Sequence, residues 1–321
     1  MNDAERLVCA IAIGRNEGAR LVLCLNSLKP RVTRMIYVDS GSTDGSVEAA
    51  RAIGAEVVEL DMVSPFTAAR ARNAGFERLR ALGLPEFVQF IDGDCEINPG
   101  WIEAALAVME ANQKLGVVCG RLSERFPDAS IYNRLADAEW DAPVGPVRAC
   151  GGIALYRTVA FVGAGGFNSR LIAGEEPELC LRIAREGWGI ERLAADMAWH
   201  DVNMNRFGQW WQRSRRAGFA FAEGAAMYGA APERYRRTEI RRILIWAAAI
   251  PLAILLAAFL AGPWAFLGVL LYPLQVLRLA RSVGWERAFF LTLGKFAEFQ
   301  GVTAYWRRRM TGGRQELIEY K

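Results

Sequence analysis

Short apolar runs alternate with helix-like segments through the first hundred residues, and this alternation constrains the fold more than any other feature of the chain. The strand-like runs are Val8 to Ile13, Met35 to Val38, Glu56 to Leu60 and Phe87 to Ile91. The intervening segments of helical composition are Ala19 to Leu28, Ser46 to Ile53 and Ala68 to Leu82. This alternation predicts an α/β fold with a Rossmann-like, mostly parallel sheet flanked by helices.

Further elements are expected beyond residue 100. Leu115 to Gly120 and Ala149 to Tyr156 have the composition of strands, and Glu178 to Glu186 has helical periodicity. No Gly-x-Gly-x-x-Gly follows the first strand, which argues against the dinucleotide-binding fold of the usual dehydrogenases.

Two carboxylates, Asp92 and Asp94, follow the apolar run that ends at Ile91. In open α/β sheets, ligands bind at the carboxyl ends of the strands. Two carboxylates at that position suit a divalent cation that carries a diphosphate. The alternative is an Asp-Gly turn that only ends the strand.

Polar side chains also follow the first two predicted strands. Asn16 and Glu17 follow the first, and Asp39 ends the second. Because parallel strands end at the same edge of a sheet, these residues are expected beside the two aspartates. Asp39 could accept hydrogen bonds from a nucleobase or a ribose.

Ser42, Thr43 and Asp44 precede the second predicted helix. Ser42 could bind a nucleotide or cap this helix, and for Asp44 the capping role is favoured. In the third predicted helix, Arg72 is a candidate to contact a pyrophosphate or a ribose.

The order of these motifs resembles the family 2 glycosyltransferases, which have the GT-A fold. The matching segments are Asn16-Glu17, Asp39 to Asp44, Ala71 to Gly75, Asp92-Gly93-Asp94 (the family's DXD motif), Gly151-Gly152, Val162 to Phe167 and Gly174 to Arg182. The resemblance spans about residues 7 to 220. It implies a nucleotide-sugar donor, with Asp39 near the base, Asp92 near the ribose and Asp94 on the metal.

Glu175 and Glu176 match an acidic pair of the same family, and the resemblance implies that the second member is the catalytic base. The family usually has Asp there, so Glu176 is a departure, and Glu175 is the competing assignment. A base on the face opposite the leaving diphosphate would take the proton of the acceptor hydroxyl, as in an inverting hexosyltransferase. Alternatively, both carboxylates are only first-turn charges of a helix.

His200 is the single histidine of the chain. In many members of the family a histidine near this position is the second protein ligand of the metal, although an isolated histidine can be purely structural. An Asp-plus-His site favours Mn²⁺ over Mg²⁺, because Mg²⁺ prefers oxygen ligands.

The Gln-x-x-Arg-Trp motif of the family's processive synthases is absent from Gln209 to Arg213, which favours transfer of one sugar per acceptor. Arg213 and Arg216 could bind the diphosphate of the donor or of a lipid, because a guanidinium group pairs with two phosphate oxygens. They could equally contact anionic lipid headgroups.

The run from Ile243 to Leu277 carries no charged residue and is interrupted by Ala261-Gly262-Pro263. Its first half would form a helix of about 27 Å, close to the thickness of a bilayer core. The flanking arginines are Arg236, Arg237, Arg241, Arg242, Arg278 and Arg281. Positive charge at both ends predicts a membrane hairpin whose two ends are cytoplasmic. The alternative is a buried helical hairpin inside a soluble oligomer.

Residues 288–306 are rich in aromatic side chains but include Lys295 and Glu298, which is typical of an amphipathic helix at a membrane surface. The expected organisation is therefore a glycosyltransferase domain over residues 1–220 and a helical, membrane-associated region over 221–321. The helices of this region could also join copies of the chain in a homo-oligomer.

Charge and cysteine content restrict the setting. The 39 Lys and Arg against 35 Asp and Glu give a net charge of +4, which does not favour binding to nucleic acid. The six cysteines form no Cys-x-x-Cys pair and lie mostly in or beside apolar runs, as expected of reduced thiols in the cytoplasm.

These observations together predict an enzyme at the cytoplasmic face of the bacterial inner membrane. It would transfer a sugar from a nucleotide-diphosphate sugar, with UDP as the expected nucleotide, to a polyprenyl-diphosphate sugar in exopolysaccharide or surface-glycan synthesis. Polyprenyl phosphate is the alternative acceptor. A membrane scaffold that binds nucleotide sugars without catalysis is the competing function.

Overall fold

The computed structural model describes residues 8–63 and 66–312, which divide into two compact units. The first unit ends at Asn205 and the second begins at Arg206. The boundary expected at residue 220 falls inside a single helix, Phe207–Tyr228, because no breaking residue interrupts its hydrogen bonding there. Arg213 and Arg216 therefore belong to the second unit.

Within the described residues, nine strands form one sheet in the first unit. They are β1 (Val8–Gly14), β2 (Arg34–Asp39), β3 (Glu56–Glu59), β4 (Phe87–Asp92), β5 (Cys95–Ile97), β6 (Leu115–Glu124), β7 (Gly145–Pro146), β8 (Ala154–Arg157) and β9 (Gly189–His200). Their spatial order is β3-β2-β1-β4-β8-β6-β9-β5, with β7 paired to β9.

The sheet is mixed: six of its nine strands run in the same direction, as predicted, whereas four of its eight strand pairs are antiparallel. Strands β1 to β4 run parallel, and β6 and β9 run in the same direction. The shorter β5, β7 and β8 are antiparallel to their neighbours.

The helices of the first unit flank this sheet. They are α1 (Ala19–Leu28), α2 (Ser46–Ile53), α3 (Ala68–Leu82), α4 (Trp101–Ala111), α5 (Ile131–Trp140), α6 (Thr158–Gly163) and α7 (Glu175–Arg185). A short 3₁₀ turn, Pro127–Ala129, precedes α5. The first three connect successive parallel strands, as the alternation in the sequence predicts.

The central strands β1 and β4 are buried on both faces, which explains their nearly uninterrupted apolar sequence. Gln89 is the polar exception in β4. Its side-chain oxygen accepts a hydrogen bond from the indole of Trp101 at 2.9 Å, and its side-chain nitrogen donates to the Phe90 carbonyl at 2.7 Å. Because both ends of the amide are satisfied, burying it costs little.

The strand expected from Ala149 to Tyr156 begins only at Ala154. Residues 149–153 form a loop, in which Gly152 passes beside other side chains of the site. All six cysteines are free and buried, as predicted for reduced thiols.

The second unit is helical over its described residues. Its α-helices are α8 (Phe207–Tyr228), α9 (Arg237–Leu244), α10 (Ile250–Ala261), α11 (Leu271–Val283) and α12 (Trp285–Thr311). A π-helical turn, Ile245–Ala249, joins α9 to α10, and a 3₁₀ segment, Pro263–Leu270, leads into α11.

The predicted hairpin is present as two apolar helical stretches joined at Gly262. Arg237–Ala261 has 25 residues and Pro263–Val283 has 21, so each is long and apolar enough to cross a membrane. The second stretch exceeds the run that ends at Leu277 because helical structure continues to Val283. Phe259 and Trp264, beside the turn, are 86% and 79% exposed.

Helix α12 is longer than the predicted 288–306 and packs along α8. A Cβ atom on Gly218 would overlap the Glu298 carbonyl, and one on Gly301 would overlap the Arg215 carbonyl. The two backbones therefore approach closely, so one face of the expected surface helix is covered by α8.

Candidate active site

The carboxyl ends of β1, β2 and β4 bring the predicted polar residues together. In the register of the sheet, Gly14 of β1 lies beside Asp39 of β2, and Ile13 lies beside Asp92 of β4. This is the crevice position at which open α/β sheets bind ligands.

Asp39 is buried and organises the loop that follows β2. One carboxylate oxygen accepts from the Tyr37 hydroxyl at 2.9 Å. The other accepts from the backbone N–H groups of Gly41 and Ser42 at 2.9 and 2.8 Å. Its observed contacts thus fix the loop, and its contact with a nucleobase stays a prediction.

Asn16 links the loops after β1 and β2. Its backbone N–H donates to the Ser42 hydroxyl at 2.9 Å, and its side-chain oxygen accepts from the Thr43 N–H at 2.7 Å. Asp44 accepts from the N–H of Ser46, the first residue of α2, at 3.1 Å, although Gly45 and not Asp44 is the N-cap residue of this helix.

Glu17 lies at the same end of β1 and pairs with Arg20 of α1 at 2.6 Å. This contact orients the Glu17 side chain through its own helix. Donor binding by Glu17 and Ser42 stays a prediction.

Asp94 and His200 form a pair at the start and end of neighbouring strands. The His200 Nε2 atom lies 3.1 Å from an Asp94 carboxylate oxygen. Strand β9 sets this distance, because His200 is directly opposite Cys95 in the antiparallel pair with β5. The predicted metal ligands are therefore brought together although they are distant in sequence.

Cys95 is the third member of this group, and its ligand atom and those of Asp94 and His200 all lie within 4.8 Å of one another. Burial raises the pKa of the Cys95 thiol well above its ordinary value, and a sulfur ligand is not one that Mn²⁺ or Mg²⁺ favours. A carboxylate and an imidazole remain, and this donor set fits a divalent cation such as Mn²⁺.

Two residues that the sequence gives no reason to select lie beside His200. The Trp140 ring stacks on the imidazole, with 4.8 Å between ring centroids. Glu124, opposite His200 in the β6–β9 pair, accepts backbone N–H groups of Phe126 and Val202. Only the fold reveals these contacts, because neither residue lies in a recognisable motif.

Arg72 is the centre of a second group of charges. Its Nη2 atom donates to Asp92 at 2.8 Å, and Nη1 donates to Glu175 at 3.0 Å and to Glu176 at 2.9 Å. The side chain is only 2% exposed. The guanidinium group thus serves three carboxylates, and the expected contact of Arg72 with a pyrophosphate or a ribose stays a prediction.

Glu175 and Glu176 are the first residues of α7, which follows Gly174 in a left-handed conformation with φ 78°. The Glu175 side chain is 4% exposed and that of Glu176 is 16% exposed. Burial, together with the charge of Glu175, raises the pKa of Glu176 to about 7. Glu176 is thus the member of the pair that reaches solvent and can exchange a proton near neutral pH.

Gly152 closes this group of charges from the loop before β8. A Cβ atom there would overlap Arg72 Nη2 and lie 3.1 Å from both Asp92 Oδ2 and Glu176 Oε1. Gly152 therefore leaves room for the guanidinium group, a role that the sequence alone does not reveal.

The chain is similar in sequence and in fold to several known proteins. Residues 9–144 match the sequence profile described as glycosyl transferase family 2. The succinoglycan biosynthesis protein ExoA of Rhizobium meliloti (strain 1021) is 25% identical over 309 residues, which cover 85% of this chain and 92% of that protein. The pre-mycofactocin glycosyltransferase of Mycobacterium tuberculosis is 25% identical over 301 residues, covering 90% of this chain but 60% of that protein.

Solved structures with a similar fold include a mannosyltransferase from Pyrobaculum calidifontis in complex with GDP-Man and Mn²⁺. It superposes with a TM-score of 0.63 at 19% identity, covering 92% of this chain and 86% of that one. GalNAc-T7 with UDP, GalNAc and Mn²⁺ superposes with a TM-score of 0.51 at 12% identity, covering 69% and 51%. The similarity to these structures concerns the fold, which is GT-A.

Proposed function

Because residues 9–144 form a glycosyl transferase family 2 domain, we propose that the protein is a metal-dependent, inverting hexosyltransferase acting on a lipid-linked acceptor. The donor is a nucleotide-diphosphate sugar, with UDP as the expected nucleotide. The acceptor is a polyprenyl-diphosphate sugar used in exopolysaccharide or surface-glycan synthesis.

The proposal depends mainly on one observation. A pair of potential metal ligands, Asp94 and His200, and a carboxylate of raised pKa, Glu176, lie near the carboxyl end of β4. Asp94, with His200 at 3.1 Å, is two residues from Asp92. Asp92 is joined through Arg72 to Glu176, whose pKa is about 7. A transferase needs these two functions on opposite sides of the anomeric carbon.

Different residues bind the cation, bind the donor and accept the proton. Asp94 and His200 would hold a divalent cation, which neutralises the leaving diphosphate when it is bound. Asp39 and Asp92 bind the base and ribose of the donor. Glu176 accepts the proton of the acceptor hydroxyl while the hydroxyl oxygen bonds to the anomeric carbon of the donor. The bond between that carbon and the diphosphate oxygen breaks in the same step. Attack from the face opposite the leaving group inverts the configuration.

A lipid-linked acceptor is supported by the two apolar helical stretches of the second unit. Arginines flank these stretches, which supports attachment at the cytoplasmic face of the bacterial inner membrane. The similarity to a protein named for succinoglycan biosynthesis supports a role in polysaccharide assembly. Arg213 and Arg216 of α8 would contact phosphate groups of the donor or of lipids.

The test is transfer of labelled sugar into lipid by the full-length protein in liposomes with Mn²⁺. UDP-glucose, UDP-galactose and GDP-mannose are offered separately, each with polyprenyl-diphosphate glucose or with polyprenyl phosphate. Label that enters the organic phase only with the first acceptor, with inverted anomeric configuration by NMR, supports the proposal.

Transfer to polyprenyl phosphate alone would replace the proposed acceptor by the alternative one. Binding of a nucleotide sugar without transfer or hydrolysis would favour the non-catalytic scaffold. The same liposome samples, analysed by chemical cross-linking, test whether the helices of the second unit join copies of the chain.

A further inference from the structure

We propose that Arg72 is a positioning residue that couples the donor side of the site to the base by holding Asp92 and Glu176 on one guanidinium group. This inference rests on the proposed function, since it assigns the base role to Glu176. It gives Arg72 a task other than contact with donor phosphate.

The geometry of the guanidinium group is the first argument. Its two terminal nitrogens have different partners. Nη2 donates to Asp92, and Nη1 donates to both Glu175 and Glu176, at 2.8 to 3.0 Å. Asp92 comes from β4, whereas the two glutamates begin α7. A planar, multi-donor cation can orient carboxylates from separate elements, whereas an ammonium group cannot span them equally well.

The enclosure of Arg72 is the second argument. The side chain is 2% exposed, and its Cζ atom lies 5.4 Å from the centroid of the Phe167 ring. The backbone of Gly152 covers Nη2 so closely that even a methyl group would overlap it. A buried group in this position acts through its carboxylate partners, because a diphosphate would have to displace them to reach it.

The charges that face Glu176 are the third argument. They are Glu175 on the same helix, Arg72 from α3 and Asp92 from β4, and the Tyr156 phenol of β8 lies nearby. Burial and the two carboxylates raise the pKa of Glu176, whereas Arg72 lowers it. Removing the positive charge would therefore leave Glu176 protonated at neutral pH, where it cannot accept a proton.

If Arg72 couples Asp92 to Glu176, its substitution should have two effects that substitution of Asp92 or of Glu176 alone does not combine. Asp92→Asn should weaken donor binding and displace the rising limb of kcat against pH downward, because the Asp92 charge raises the pKa of Glu176. Glu176→Gln should slow turnover with little change in donor binding. Substituting Arg72 should both weaken donor binding and slow turnover, because the same group orients the two carboxylates.

The experiment compares Arg72→Gln and Arg72→Lys with the wild type in hydrolysis of UDP-glucose with Mn²⁺, or of whichever of the three nucleotide sugars the wild type turns over. Affinity for UDP with Mn²⁺ is measured separately by calorimetry. In Arg72→Gln we expect weaker UDP binding, lower kcat and a rising limb of kcat against pH displaced upward by about 1–3 pH units. In Arg72→Lys the limb should stay near that of the wild type, because the charge remains, while kcat falls.

A charge-balanced double variant controls for folding. Arg72→Gln with Glu175→Gln removes one positive and one negative charge, so the limb should return toward the wild-type pH although the guanidinium group is absent. Gly152→Ala leaves every charge in place but displaces Nη2, and it should reduce both UDP affinity and kcat.

Three results overturn the inference. If Arg72→Gln leaves the rising limb of kcat against pH in place and only weakens UDP binding, Arg72 contacts the donor directly. If the limb stays in place and the activity of Arg72→Gln is proportional to the fraction of folded protein, the role of Arg72 is structural. A wild type that turns over no nucleotide sugar refutes the proposed function and this inference with it, whereas the first two results leave the proposed function intact.

Discussion

Glu176 and Glu175 share a helix start and an arginine partner, but they differ in access to an acceptor. Glu176 is 16% exposed and Glu175 is 4% exposed. The substitution Glu176→Gln keeps the shape and removes the proton acceptor, so we expect turnover to fall by roughly 10²–10⁴-fold. Donor affinity should stay near that of the wild type. Steady-state kinetics and UDP titration check both.

The matched control for this prediction is Glu175→Gln, which should reduce turnover much less. If Glu175→Gln is inactive and Glu176→Gln is active, the base is Glu175. Full activity in both variants would exclude either residue as the base.

Asp94 is the residue on which metal dependence is expected to rest. Asp94→Ala removes the carboxylate that faces His200 at 3.1 Å, so transfer should be abolished and UDP binding should no longer depend on Mn²⁺. Cys95→Ser is the control and should keep Mn²⁺ dependence, because Mn²⁺ favours oxygen and imidazole ligands over a thiol. Wild-type activity of Asp94→Ala in the presence of a chelator would contradict a metal-dependent mechanism.

The sequence predicts the residue types of the site better than their partners. Asp92, Asp94 and His200 were selected because their chemistry and order resemble a known family. Arg72 was expected to contact a pyrophosphate or a ribose, since a guanidinium group pairs well with phosphate oxygens. Of the three carboxylates that it contacts, those of Glu175 and Glu176 lie more than a hundred residues away in sequence. Local sequence carries no information about such a contact.

At the scale of the elements, the strands with the strongest apolar pattern were predicted most closely. Strands β1 and β4 extend only one residue beyond their predicted ends. No bounds were predicted for strand β9, because Arg192 and other charged residues interrupt its apolar pattern. Arg192 is nevertheless buried, and it donates to the Ala142 carbonyl. Its tertiary hydrogen bond, which the sequence does not reveal, makes this burial possible.

The close contact of α8 and α12 depends on glycine, which gives a prediction at the same scale. Gly301→Ala would drive a methyl group into the Arg215 carbonyl, so the helices must separate, at a cost of about 1–3 kcal/mol. We expect a lower melting temperature for the full-length protein in detergent.

Gly208→Ala is the control, because Gly208 also lies in α8 but has no atom within 4 Å of its would-be Cβ atom. It should be neutral or stabilising, since alanine favours a helix over glycine by about 1 kcal/mol. Equal melting temperatures for both variants would argue against tight packing of α8 on α12.

At the scale of the whole molecule, the division at Asn205 determines where the chain can be cut. A protein ending at Asn205 keeps the complete first unit, so it should be soluble without detergent and bind UDP with Mn²⁺. A protein ending at Arg242 keeps α8 but loses α12, which exposes Trp210 and Phe219, whose ring partners are Phe290 and Tyr305. This longer fragment should aggregate in size-exclusion chromatography. Aggregation of the shorter fragment alone would place the boundary elsewhere.

The burial of all six cysteines gives the native chain a practical property. Thiol reagents attack exposed thiolates, so the folded protein should resist a colourimetric thiol reagent that finds six groups after denaturation. A single cysteine introduced at an exposed position of α10, such as Leu256→Cys (Leu256 is 59% exposed), would then be the one site that reacts quickly. Spin labels or fluorophores attached there could report the depth of the hairpin in a bilayer, with every native cysteine left in place.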